Sequence, residues 1–298
     1  MIGAICNVYG KVSIPIEETN EDARGYKITV IDKAGNADTM ELEEYITCVV
    51  LGEVSPQFHH EALKAQAIAA RTYTLYCIDI LGKHSSGAVC MDHNCCQAYC
   101  DPEEFLNNGG TQEELNKVSE AVKCTAGQAI YYGTELICAT YFASSGGKTE
   151  DALEVWGKSY PYLKAVKSTG EEDSGYFSKQ AIFTNSEFME ALGVSFTGDP
   201  SSWFGIIKYT SGDGIDLIRI GGRLYTGVEL RSLLKLRSTI MTFTIKENRI
   251  LVDTKGYGHR VGMSQHGANA MAKQGCNYSD IINHYYVGTK IQQYTAGN

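Results

Sequence analysis

Several features are missing from this chain, and each absence removes a class of function. Only five of its 298 residues are proline, so no proline-rich linker divides it. No run of about 18 apolar residues occurs, so nothing in it reads as a transmembrane helix. The residues around Met1 lack the basic and apolar regions of a secretory leader. Basic residues are in deficit: the net charge is −9 and the pI about 5.3, which argues against a nucleic-acid partner needing a basic stripe. There is no His-Glu-x-x-His and no His-x-Glu followed by Pro-Cys-x-x-Cys, so two common catalytic zinc signatures are absent. Internal repeats and low-complexity segments are also missing. With 43% hydrophobic and 20% charged residues, the chain can bury a sizeable core.

Glycine is plentiful at 31 residues, and it concentrates where the sequence is most informative. Residues 256–268 read GYGHRVGMSQHGA. Glycines at 256, 258, 262 and 267 let the backbone turn sharply and approach a ligand. Between them His259, Ser264, Gln265 and His266 donate and accept hydrogen bonds, a mixture suited to a polyhydroxylated ligand such as a glycan. A plain helix-capping loop with Ser264 as the cap is the competing reading.

The periodicity predicts a mixed α+β fold, with a central buried helix, mostly antiparallel strands and a smaller second lobe. The chain reads as a single domain over 1–298, with a lobe or insertion around 170–240. Short strands flank a charged loop at 17–24. Asp38 and Glu41 have capping-box spacing, and Leu42, Tyr45, Ile46, Val49 and Val50 form one apolar face, so a helix is expected over about 40–51 with Gly52 as its stop. An alanine-rich helix, apolar nearly all round, is expected over about 58–81 as the buried centre. A helix over 113–122, strands near 128–132 and 136–142, a small helical segment with a loop in 170–200, strands near 206–209, 241–246 and 249–253, a helix over 226–234 and helices within 267–288 complete the pattern.

The ten cysteines divide into two groups. Cys6, Cys48, Cys77, Cys124, Cys138 and Cys276 are scattered and read as small buried hydrophobes. Cys90, Cys95, Cys96 and Cys100 cluster with His84 and His93, the ligand types zinc prefers. No Cys-x2-Cys pair is present. His84, Cys90 and Cys96, spaced evenly by six, are taken as ligands, with His93 or Cys95 as a fourth. A Cys90–Cys96 disulfide is the alternative, and a thiol nucleophile on Cys95 or Cys96 a weaker one.

The glycine-rich motif belongs to an ordered set. It includes Glu53-Val-Ser-Pro-Gln-Phe, the helix from Glu61 to Arg71-Thr-Tyr, and Tyr141-Phe-Ala-Ser-Ser-Gly-Gly-Lys-Thr. Trp156 with Tyr160-Pro-Tyr-Leu, Glu229-Leu-Arg, Leu236-Arg-Ser and Ile282-Asn-His-Tyr-Tyr-Val-Gly-Thr follow. In this order they resemble the stage II sporulation protein D family, from about residue 26 to residue 291. That family comprises peptidoglycan lytic transglycosylases related to amidase enhancers.

The resemblance implies cleavage of the MurNAc–GlcNAc bond in peptide-stripped glycan strands, leaving 1,6-anhydro ends, during septal wall remodelling at forespore engulfment. It implies Glu53 as a lone acid/base; its place beyond a helix C-terminus would raise its pKa. Arg71, Ser145, His259, Ser264 and Gln265 are then expected on the substrate side. Arg71 has an equal alternative as the partner of an internal carboxylate, because a buried guanidinium must be paired. Ser144 and Ser145 have an alternative as a plain strand-ending turn.

The family's Cys-Gln-x-Tyr element matches residues 96–99, and clostridial-type members bind zinc near it, so the implied cofactor is a zinc that orders a loop. The implied partners are glycan strands, a cell-wall amidase and a membrane scaffold protein. The implied location is extracytoplasmic, with a membrane anchor outside this chain. Two positions depart from the family pattern: Arg260 replaces a glycine and His266 a tyrosine. Arg260 is expected either at an acidic lactyl group or in solvent. A non-catalytic glycan-binding module that stimulates an amidase is the alternative function.

Overall fold

The computed structural model describes residues 25–295; the charged loop at 17–24 and Cys6 lie outside them. The α+β class is borne out. Strands β1 (Lys27–Ile31) and β2 (Ala37–Glu41) form an antiparallel hairpin whose turn is fixed by Asp32, which accepts from the Ala34 and Asn36 amides at 2.8 Å. Helix α1 (Leu42–Glu53) follows directly. The capping box expected at Asp38 does not form, because residues 37–41 pair with β1, which buries Ile28 and Val30 in the core. Gly52 lies inside α1 rather than stopping it.

Helix α2 (His60–Tyr76) is the buried centre, with Leu63, Ala65, Ala67, Ile68, Ala69 and Ala70 fully enclosed. Its many alanines let other elements pack close on every side. It continues as a π-helical turn, Cys77–Leu81, ended by Gly82 in the left-handed region at φ 54°. After β3 (Val89–Cys90), α3 (Pro102–Asn107) and α4 (Gln112–Lys123) lead to β4 (Gln128–Tyr132) and β5 (Glu135–Leu136). The chain then passes through β6 (Tyr141–Phe142) and α5 (Ala152–Trp156).

A second group of elements follows. It comprises β7 (Ser178–Thr184), α6 (Asn185–Leu192), β8 (Phe204–Tyr209), β9 (Ile215–Ile220), β10 (Arg223–Thr226), α7 (Gly227–Leu233), β11 (Ile240–Lys246) and β12 (Arg249–Lys255). The chain returns to the first group through β13 (Met263–Ser264), α8 (Gln265–Lys273), α9 (Tyr278–Tyr285) and β14 (Lys290–Gln293).

Among the described residues five small sheets form: β2-β1-β3, β14-β4-β5, the pair β13-β6, β11-β12-β7 and β10-β9-β8. All pairings are antiparallel except β1–β3 and β6–β13. One hydrophobic core surrounds α1 and α2; a smaller one joins Phe188, Trp203, Ile218, Tyr225, Leu230 and Val252. Strand β7 occupies part of the stretch expected to be helical. It is a sheet edge with little burial, and Ile182 is left 53% exposed, so its apolar signal is weak.

Arg71, expected among the substrate residues, sits instead inside the first core with no exposed surface. Its Nε and Nη2 donate to Glu43 at 2.8 and 2.5 Å, and Nη1 donates to the Gln128 carbonyl at 3.1 Å. The fork therefore ties α2 to α1 and β4, and the internal-carboxylate alternative describes it. Replacing Arg71 with Met should cost about 3–5 kcal/mol in urea unfolding, because Glu43 loses its charged partner and keeps only the Gly127 amide.

Candidate active-site cleft and metal centre

A cleft of 880 Å³ opens where α1, the cysteine loop, β6, α8 and the second group of elements meet. Glu53, the last residue of α1, is its only carboxylate among the described lining residues. One carboxyl oxygen accepts from the Ala98 amide at 2.7 Å, and the other from Gln265 Nε2 at 3.4 Å. Burial raises the Glu53 pKa above its ordinary value. The Ala98, Gln265 and Tyr141 contacts and the nearby His93 pull in the other direction without cancelling it. Desolvation is thus the leading cause, ahead of the helix terminus the sequence suggested.

Gly52 has its reason here. A Cβ at that position would lie 2.9 Å from the Tyr99 amide nitrogen and 3.0 Å from the Ala98 carbonyl carbon. The missing side chain lets the segment carrying the Ala98 amide pass against the last turn of α1, next to Glu53.

The remaining wall is largely aromatic. Tyr176 stacks on Tyr257 with ring centroids 5.7 Å apart, and both are exposed to the cleft. His266 lies between Phe58 and Tyr176, 5.1 Å from each ring. His259 packs 5.3 Å from Trp156 and 5.6 Å from Phe142. Its Nδ1 accepts from the Val261 amide at 3.1 Å, which assigns the ring proton to Nε2. Burial, reinforced by Arg231, lowers the His259 pKa to about 4, so the ring is neutral at ordinary pH. Exposed rings with polar edges suit the alternating apolar and hydroxylated faces of sugars.

Of the expected substrate residues, the fold brings Glu53, His259 and Gln265 to the cleft. Ser145 is fully buried; its hydroxyl donates to Glu171 at 2.6 Å, and its amide reaches the same carboxylate at 2.9 Å. Ser264 is also fully buried and caps α8 by accepting from the Gly267 amide at 3.2 Å. Both serines shape the loops behind the wall rather than facing a ligand. Arg260 reaches neither a ligand nor solvent. It is enclosed, donating to Glu150 at 2.7 Å and to the Gly212 carbonyl at 2.5 Å, so it joins the two groups of elements. Tyr141, Tyr176, Gln97 and Arg231 line the cleft without having been assigned. Tyr141, Gln97 and Arg231 do stand in quoted motifs, whereas Tyr176 carries no local signal of this role.

The cysteine loop forms a compact donor set. His84, Cys90, Cys95 and Cys96 each offer a ligand atom, all within 4.8 Å of one another. His84 Nε2 lies 3.4 Å from Cys95 Sγ and 3.6 Å from Cys96 Sγ. A tetrahedral zinc with ordinary bond lengths sets nitrogen–sulfur edges near 3.6 Å and sulfur–sulfur edges near 3.8 Å, so the spacing fits a metal ion. Burial and the neighbouring thiols push Cys95 up to about 11, a penalty on thiolate that a bound cation reverses. Cys95 thus joins the expected trio despite its adjacency to Cys96, while His93 is exposed beside Asp92. Among the scattered cysteines, Cys48, Cys77 and Cys138 are buried as expected. Cys124 is exposed and Cys276 half-buried, because each follows a helix end near the surface.

A raised carboxyl pKa makes a signed prediction about stability. Below about pH 4.5 Glu53 is protonated whether folded or unfolded. As pH rises through its higher folded value, ionisation in the cleft costs stability. Glu53→Gln should therefore melt above the parent at pH 7, and the difference should vanish near pH 4 by thermal denaturation.

Sequence comparison now adds to this geometry. Residues 31–132 match the family described as stage II sporulation protein. The chain is 37% identical over 266 residues to stage II sporulation protein D of Bacillus subtilis (strain 168), spanning 88% of this chain and 77% of that protein. It is 34% identical over 286 residues to the protein of the same name from Bacillus amyloliquefaciens, spanning 95% and 79%. It is also 29% identical over 300 residues to the amidase enhancer of Bacillus subtilis (strain 168), spanning 83% of this chain and 40% of that protein. With a likeness of this strength over 88–95% of its residues, the chain belongs to the stage II sporulation protein D family.

Proposed function

We propose that the protein is a lytic transglycosylase that cuts the MurNAc–GlcNAc bond of peptidoglycan in wall remodelling during sporulation. The observation that carries this reading is Glu53, the one carboxylate among the described residues lining the cleft, held with a raised pKa. A hydrolytic glycosidase of the common kind needs two carboxylates about 5–9.5 Å apart. A transglycosylase needs one. Protonated Glu53 gives its proton to the bridging oxygen as the C1–oxygen bond breaks. The resulting carboxylate then takes the proton of the C6 hydroxyl, whose oxygen closes on C1 to form the 1,6-anhydro ring. Glu53 ends protonated, and water is not consumed.

The rest of the cleft supports the same reading. Tyr176, Tyr257 and Trp156 offer faces for sugar rings. Arg231 and Lys83 bring positive charge into the cleft of an acidic protein, which favours glycan whose lactyl carboxylates have been freed by an amidase. The proposal includes action outside the cytoplasmic membrane beside an amidase and a membrane scaffold. None of the described helices is long and apolar enough to cross a membrane, so such an anchor is not among them.

The donor set of His84, Cys90, Cys95 and Cys96 is assigned to zinc. Held by these four residues, the ion would crosslink the loop that runs on into Gln97 and Ala98. The proposed reaction needs no activated water, so these ligands act by holding the loop beside Glu53.

Two experiments test these assignments. Wild-type protein and Glu53→Gln are incubated with peptide-stripped glycan strands, and the products are read by mass spectrometry. Anhydro-ended products that fall by at least about 10²-fold in the variant are expected. Reducing ends would place water as the nucleophile and overturn the single-acid mechanism. Glycan binding without cleavage by either protein would favour the amidase-stimulating role suggested by the enhancer relative. For the metal, one zinc per chain is expected by elemental analysis, lost in Cys96→Ser, with a lower melting temperature for both that variant and chelator-treated protein. Absence of bound metal from freshly purified protein would sink the assignment.

A further inference from the structure

Among the cations around the cleft, Arg231 stands apart in having nothing to bind. It lies in the last turn of α7 and lines the cleft from the second group of elements. It is half-buried, yet among the described residues it joins no ion pair and its side chain makes no hydrogen bond. The enclosed nitrogens left without partners include two of Arg260 but none of Arg231, so the Arg231 fork opens on the cleft instead of being sealed in. Burial lowers its pKa below the usual guanidinium value, as expected where desolvation meets no carboxylate. The group stays charged all the same.

The neighbouring cations are spent. Arg71 and Arg260 are enclosed and paired with Glu43 and Glu150. Arg237 donates to the Gly175 carbonyl at 3.0 Å and covers the Tyr257 ring, 5.2 Å from its centroid. Lys83 lines the cleft, but two of its three protons go to the Tyr73 hydroxyl at 3.0 Å and to the Cys95 carbonyl. Glu53 is bonded to Ala98 and Gln265, not to Arg231.

Main-chain bonds fix where the free fork stands. The Arg231 carbonyl accepts from the Leu236 amide at 2.8 Å, and the Arg237 carbonyl from the Gly258 amide at 3.0 Å. The end of α7 is thereby tied to the turn that carries Tyr257, whose exposed ring stacks on Tyr176. A cation beside a flat aromatic platform suits an acidic group carried at the edge of a sugar ring.

We propose that Arg231 is the specificity-determining residue of the cleft, pairing two of its N–H groups with the free lactyl carboxylate of a muramic acid residue. This deepens the glycan-cutting reading above and rests on it. In a muramic residue that bears a stem peptide, the same carboxyl is a neutral amide with one oxygen left to accept. The charge and the second oxygen both appear only after an amide hydrolase has acted, and a guanidinium fork matches both. Amide hydrolysis first and glycan cleavage second is then an order set by one side chain.

Binding is measured by calorimetry with Glu53→Gln protein, which on this reading leaves the strands uncut. Three ligands are compared: peptide-stripped strands, the same strands with their lactyl carboxyls converted to methylamides, and strands with stem peptides in place. Stripped strands should bind about 10- to 100-fold more tightly than methylamide strands, as for a hydrogen-bonded charge pair. Adding Arg231→Met should erase that ratio and leave the methylamide affinity unchanged. Arg231→Lys should keep only part of it, because a point charge does not match two oxygens. No protein group loses a partner in Arg231→Met, so its melting temperature should not fall. With Glu53 intact, Arg231→Met should raise KM for stripped strands while kcat changes little.

Equal losses for stripped and methylamide strands would make Arg231 a general contact and overturn the proposal. A preference for stripped strands that survives in Arg231→Met would overturn it too. Stem peptides also carry carboxylates; tight, Arg231-dependent binding of peptide-bearing strands would give the fork to one of those and refute the lactyl assignment. An Arg231-dependent preference in wild-type protein that fails to cleave the strands would uphold the carboxylate site while sinking the transglycosylase reading.

Discussion

The cleft depends on one close crossing: the backbone at Ala98 and Tyr99 running against the last turn of α1. There the Ala98 amide holds a Glu53 oxygen at 2.7 Å, and Gly52 leaves the room that any side chain would fill. Two constraints meet at this crossing. From one side, α1 is fixed by the Arg71–Glu43 fork and by apolar burial along Tyr45, Ile46, Val49 and Val50. From the other, the crossing segment follows directly on Cys95 and Cys96, which gather with His84 and Cys90. An irregular loop cannot hold an amide to a fraction of an ångström by itself, because its ordering costs conformational entropy at each residue. Anchoring its beginning in a four-donor cluster removes much of that freedom before Ala98 is reached.

A second constraint sets the opposite wall. Glu150 accepts from Arg260, from Thr210 Oγ1 at 2.6 Å and from the Gly212 amide at 3.1 Å, gripping the turn between β8 and β9. Glu171 similarly gathers Ser144, Ser145 and Ser168, with the Ser168 hydroxyl also 2.6 Å from that of Tyr285. These enclosed carboxylates face away from the cleft and hold the loops behind it. The protein therefore uses buried acids in two ways. Glu150 and Glu171 are surrounded by donors, while Glu53 has few and opens on the cleft.

What could be read from the sequence follows from how local each cause is. The alanine-rich centre of α2 was legible because its composition leaves no polar face. Glu53, His259 and Gln265 were legible because short motifs carry them. Ser145, Ser264 and Arg71 belong to equally distinctive motifs, yet the fold turns them inward. A motif marks a position that matters without saying whether a ligand or a neighbouring loop is the reason. Arg260 shows the same ambiguity: a charged residue at φ 66° in a glycine-rich loop suggests exposure, but Glu150, 110 residues away in sequence, encloses it. The strand at 37–41 and β7 were lost because their pairing partners, not their own patterns, decide them.

The polar groups around Glu53 differ in kind, and the difference bears on acid catalysis. His259 is neutral, held by the Val261 amide and crowded by aromatic rings, so it does not compete with Glu53 for a proton at ordinary pH. Gln265 and Ala98 donate to the carboxyl and would alone favour its ionised form. Burial opposes them and wins. That balance suits a group that must be an acid in the first half of a reaction and a base in the second. With too many donors it would never hold the proton, and with none the carboxylate formed midway would be too costly to reach. The placement of two donors and an aromatic wall around the Glu53 carboxyl thus suits both halves of such a cycle.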